Sequence, residues 1–173
     1  MTQRVESKRL KDLIRLFAGM QKLQEQLRGL IAAKVDAMKR ADIAAVGEWC
    51  RQEQVLAKQL AEREVARRRI MDAMRKELGL PDKDARAVTV SQLASRMSES
   101  QRSILQDAAD RLRKVALQVV QANRVAGIVS REILNHLKLV FASVKPKEGQ
   151  PIGYSGDGAP VGSGKMQILE TVA

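Results

Sequence analysis

The sequence predicts an all-α fold, an elongated antiparallel helical bundle or coiled coil of three long helices with a flexible Gly/Pro-rich C-terminal tail. Three observations predict it. Apolar residues recur at alternating spacings of three and four, the period of about 3.5 residues that forms a helix-packing seam. Apolar residues make up 45% of the chain but aromatics only 2%. A core of Leu, Val, Ile, Ala and Met suits knobs-into-holes packing better than a β-sandwich or an α/β enzyme. Gly79 with Pro81, and later Pro146, stop the periodic runs, because glycine takes the left-handed cap and proline bars helical geometry before it.

The first helix is expected over residues 5–39, with a seam of Leu10, Leu13, Phe17, Met20, Gln24, Leu27, Ile31, Lys34 and Met38. Its polar seam positions, Gln24 and Lys34, weaken packing but help to fix register. Asp42 caps a second helix over residues 43–78, so the connection is short and the two helices lie antiparallel. That helix is the weakest packer. Arg63, Glu64 and the run Arg67, Arg68, Arg69 interrupt its stripe of Val46, Cys50, Leu56, Leu60, Ile70, Met71, Met74 and Leu78. The arginine run reads as a solvated face, and Trp49, beside the stripe, as core. A polar linker over 80–90 leads to a short helix over 90–97.

The longest helix is expected over 99–144, entered through a capping box of Ser98 and Gln101. Leu105, Ala108, Leu112, Val115, Val119, Ala122, Ala126, Val129, Ile133, His136 and Val140 form its seam. In its second half Val125, Ile128, Leu134, Leu137, Leu139, Phe141 and Val144 widen the apolar arc to roughly 240°. Either sister helices cover that arc or it is left for a partner's helix. In the second case the binding residues are Val125, Ile128, Leu134, Leu137, Phe141 and Val144. The chain thus divides into a bundle over 1–145 and a tail over 146–173. The tail's glycines and prolines leave too little apolar surface to order it.

Net charge is +11. The excess lies in residues 1–40, with 10 basic against 4 acidic, and 101–150, with 9 against 4. Such a surface attracts polyanions, acidic partners or anionic membranes without choosing among them. The single Cys50 has no internal disulfide partner, and there is neither an apolar signal core at Met1–Glu6 nor a run long enough to span a bilayer. A cytoplasmic location is expected. Gly158–Lys165 superficially resembles a phosphate-binding loop, but its spacing is wrong and Met166 stands where Ser or Thr is needed. His136 has no nucleophile or carboxylate placed beside it, and one Cys with one His makes no zinc site. The expectation is a non-enzyme, with no catalytic residue, metal, cofactor or small-molecule substrate.

The stretch from Leu112 to Gly158 resembles the FlgN family of flagellar export chaperones. The residues that carry the likeness are a long amphipathic helix with Gln121-Ala122-Asn123, an apolar run to Val144, then Lys145-Pro146 and Tyr154-Ser155-Gly156-Asp157-Gly158. The family pattern has an asparagine in the last helix, a tyrosine soon after its end and a glycine four positions beyond. Asn123, Tyr154, Asp157 and Gly158 match, whereas Ser155 stands where a glycine is often found. The resemblance implies a cytoplasmic chaperone of type III secretion that shelters the C-terminal helices of hook–filament junction proteins, the hook-associated proteins, from aggregation. It also implies delivery to the cytoplasmic domain of the export-gate membrane protein, with Tyr154 as the contact. A basic coiled-coil protein binding nucleic acid, or a self-associating structural one, is the alternative; few aromatics, no binding motif and scattered charge make nucleic acid unlikely.

Overall fold

The computed structural model describes residues 7–80, 88–144, 153–154 and 160–161. Its helices are α1 (Ser7–Lys39), α2 (Ile43–Glu77), the short α3 (Val90–Ala94) and α4 (Glu99–Val144). The fold is an all-α bundle. Two strands, β1 (Gly153–Tyr154) and β2 (Pro160–Val161), pair antiparallel in the C-terminal segment. The remainder of the tail, most of the 80–90 linker and the start of the expected first helix lie outside the described residues. The chain divides into two compact units, Met1–Glu132 and Ile133–Ala173, so the second begins within α4.

In the first unit α2 runs antiparallel to α1. Arg9 pairs with Glu77 at one end, and Lys34 with Glu53 at 2.5 Å towards the other. α4 runs parallel to α1: Leu10, Leu13 and Phe17 share a core with Leu105 and Ala108, whereas Ile31 and Val35 pack on Val119 and Ala126. Arg28 donates to the Gln118 side chain, and the Ser130 hydroxyl reaches Met38 Sδ at 3.5 Å. The larger core also takes Met71, Met74 and Leu78 from α2, with Leu93 of α3 and Met97 beyond it. The smaller one belongs to α1 and α4 alone.

That asymmetry explains α2. No residue from Ile43 to Ile70 is buried, because most of this stretch has only α1 to lie against. Trp49, expected in the core, is half-buried for the same reason. Lys34 does not fix the α1–α4 seam; it turns to Glu53 of α2, where both side chains are largely covered. Gln24 Oε1 is buried without a hydrogen-bond partner.

The helix ends follow backbone chemistry. Asp42 accepts from the Ala45 amide at 3.0 Å, satisfying one donor of the first turn of α2. α1 and α2 both close in a Schellman motif. Asp42 N donates to Ala37 O and Ala41 N to Met38 O, while Leu80 N donates to Arg75 O and Gly79 N to Lys76 O. The left-handed position is Gly79 (φ +61) in one and Ala41 (φ +55) in the other. The capping box falls on Thr89 and Gln92, at the start of α3. Ser98 and Gln101 meet side chain to side chain at 3.2 Å. Arg102 Nε donates to Ala94 O at 3.1 Å, tying α3 to the next helix.

Candidate protein-binding surface

α4 changes character along its length. In the first unit Leu105, Ala108, Val115, Val119 and Ala126 are buried, and Leu112, Ala122 and Val129 are half-buried. The expected seam is therefore occupied through this stretch. Leu117, Val120, Val125 and Ile128 stand exposed. At about 100° per residue, Val125 and Ile128 lie roughly 100° and 160° round the helix from buried Ala126. Asn123 is exposed on the same helix.

The second unit opens with the last turns of α4, where every residue from Leu134 to Ser143 is exposed. Leu134 is 56% accessible, Leu137 44%, Val140 44% and Phe141 68%. Leu134, Leu137 and Phe141 fall within about 60° of one another around the axis, and Val140 flanks them. Leu139 lies on the opposite side. His136, an expected seam residue, is exposed here too, and the Val144 side chain lies outside the described residues. An uncovered stripe of large aliphatic and aromatic side chains on a helix is the form in which another helix is bound.

Tyr154 sits in β1, in register with Pro160 of β2. Its side chain, together with Asp157 and Gly158, lies outside the described residues. The two paired strands lie within the expected C-terminal tail.

The first unit also holds two concavities that the periodicity did not reveal. A groove of about 540 Å³ between α1 and α2 is lined by Gln26, Gly29, Leu30, Gln52, Val55 and Leu56. Gly29 opens it, since a Cβ there would meet nothing within 4 Å. A more polar cavity of about 670 Å³ lies among Phe17, Glu64, Arg67, Ser91, Asp107 and Arg113. At its wall Arg67 makes a bidentate contact with Glu64 (2.7 and 2.6 Å), and Arg68 joins at 3.2 Å. The Arg67 hydrogen bonds hold the Glu64 carboxyl below the usual carboxylate range, against the opposing effect of burial, and Arg67 is raised in turn. Of the arginine run only Arg68 and Arg69 are exposed; Arg67 is half-buried.

The end of α4 thus presents large apolar side chains to solvent. The family model described as FlgN protein matches residues 1–162. The chain belongs to the FlgN family. The match takes in the first two helices as well as the stretch from Leu112 to Gly158 that carries the motif residues. FlgN proteins are flagellar export chaperones, a class that works by binding other proteins. No curated protein and no solved structure matched the chain. No described helix is long and apolar enough to cross a membrane.

Proposed function

We propose that this chain is a cytoplasmic, non-enzymatic chaperone of flagellar type III secretion. It binds the C-terminal helices of hook–filament junction proteins, keeps them from aggregating and delivers them to the export gate. The observation that carries the client site is the exposure of Leu134, Leu137 and Phe141 on one side of the last turns of α4. A client helix that would otherwise associate with its own kind gains the same apolar burial here without aggregating. Val144 continues this stripe in the sequence. Tyr154 serves the export gate: a phenol ring entering a receptor pocket loses exposed apolar area and gains a hydroxyl hydrogen bond.

Calorimetry with a synthetic C-terminal peptide of a junction protein tests the client site. Leu137→Gln with Phe141→Gln should weaken binding by at least about tenfold, since two apolar anchors at a helix interface contribute well over 1.4 kcal/mol. Undiminished affinity would move the client elsewhere. Tyr154→Ala should leave that affinity alone and lower affinity for the gate's cytoplasmic domain. Equal gate affinity with and without the tyrosine would remove the delivery role.

A further inference from the structure

Along α1, α2 and the first turn of α4, several cations pair with a carboxylate one helical turn away. Arg15 faces Asp12, Lys39 Asp36, Arg51 Glu48, Arg68 Glu64 and Arg102 Glu99. Asp107 and Asp110 stand one turn before Arg111, Arg113 and Lys114, and the next carboxylate is Glu132. From Arg111 to Arg131 the chain carries Arg111, Arg113, Lys114, Arg124 and Arg131 with no carboxylate. All five are exposed, and none makes a salt bridge among the described residues. Arg124 and Arg131 have no carboxylate one turn away in either direction.

Apolar side chains stand among these cations. Arg113, Leu117, Val120, Arg124, Ile128 and Arg131 follow one another at spacings of four and three. At about 100° per residue they keep within roughly 80° of arc, on the side of α4 away from buried Val119 and Ala126. Leu117 is 60% and Val120 65% exposed. The strip is about 27 Å long at 1.5 Å per residue, and all of it lies in the first unit.

We propose that this outward strip of α4 docks an acidic amphipathic helix of a partner protein, at a site separate from the Leu134–Phe141 face. A helix of about 20 residues spans it, with an apolar stripe against Leu117, Val120 and Ile128 and flanking carboxylates against the arginines. Charge complementarity selects an acidic partner. The repeat of three and four selects a helix, because a phosphate backbone has no use for interleaved aliphatic residues. The strip also offers no aromatic ring on which a base could stack. A bilayer would require a broader apolar face than three aliphatic side chains.

The test uses the full-length protein and a fluorescent amphipathic peptide of about 21 residues, with Leu at its seam and Glu on both flanks, read by anisotropy at about 0.15 M salt. The peptide should bind, and a scrambled peptide of the same composition should bind at least about tenfold more weakly. Arg124→Glu with Arg131→Glu, and separately Leu117→Gln with Val120→Gln, should each cost about tenfold or more. Lys8→Glu with Lys11→Glu, the same change of charge at exposed sites on α1, should change nothing. Circular dichroism checks that each variant keeps its helix content. Phe141→Gln should retain the peptide while losing the client, which separates this site from the chaperone face. Equal losses from the α1 pair, or indifference to Leu117 and Val120, would overturn the proposal. So would tighter binding of phosphatidylglycerol vesicles or random duplex DNA through the same arginines.

Discussion

One chemical change placed at two leucines separates core from the proposed client face. Leu13 is 0% exposed and packs among Phe17, Met71, Met74, Leu93 and Leu105, side chains from all four helical segments of the larger core. Leu13→Ala removes the buried branched end of the side chain and leaves a space that surrounding helices cannot fill without losing their own contacts. The lost transfer energy is about 2 kcal/mol and the cavity adds more, for a total of about 3–4 kcal/mol. Leu137 is 44% exposed and has no buried neighbour from Leu134 to Ser143. Leu137→Ala should cost less than about 0.5 kcal/mol, with alanine's better helix propensity offsetting the lost contact.

Urea unfolding of the full chain, followed by circular dichroism, measures both. Leu13→Ala should lower the midpoint clearly and, in a thermal melt, reduce the melting temperature by about 6–16 °C, at about 2–4 °C per kcal/mol for a chain of this size. Leu137→Ala should superimpose on the parent curve yet lose client affinity. A Leu137→Ala penalty comparable with that of Leu13→Ala would refute the reasoning, because it would make the end of α4 a part of the folding core.

Ala41→Gly should stabilise the chain by about 1 kcal/mol, and Gly79→Ala should cost a similar amount, since both positions hold positive φ and only one carries the residue suited to it. Thermal melts of the two variants should move in opposite directions. Gly29→Ala adds a methyl group into open space within α1, so it should stabilise by about 0.5–1 kcal/mol. Glu64 has a folded-state pKa depressed chiefly by Arg67. Its contribution is therefore present above the unfolded glutamate value of about 4.3 and lost as pH falls through the lower folded value. Acid titration of stability should show a shallower loss below that pH in Glu64→Gln than in the parent.

The helices were legible because their signals are local. Asp42 caps where an aspartate after a broken seam should, Gly79 takes the left-handed turn, and α4 ends at Val144 just before Lys145-Pro146. Ala41 was not legible, since nothing in an alanine announces a left-handed cap. The backbone adopts it there because Asp42 must both finish one helix and start the next. Thr89 and Gln92 took the capping box because α3 needs its own start, and five residues are too few to form without one. Periodicity located the seam of α4 but could not say how far a partner helix accompanies it. Leu105 and Val140 occupy equivalent spacings, yet one is buried and the other exposed. Coverage depends on which helices lie alongside, and that information resides in tertiary packing.

The basic composition and the uncovered apolar helix end answer one constraint. A stripe of Leu134, Leu137, Val140 and Phe141 open to water favours any apolar partner, including another copy of the same chain. Copies carrying +11 each repel, over a range of about 8 Å at physiological ionic strength. Lys138, exposed within the same segment, adds a like-charge contact to any close pairing of two such ends. A client with carboxylates near its C-terminal helix meets attraction where a second copy meets repulsion, so charge discriminates between two partners that apolar burial alone would treat alike. On the proposed reading the arginines and lysines are therefore part of the chaperone's specificity, and nucleic acid is not needed to account for them.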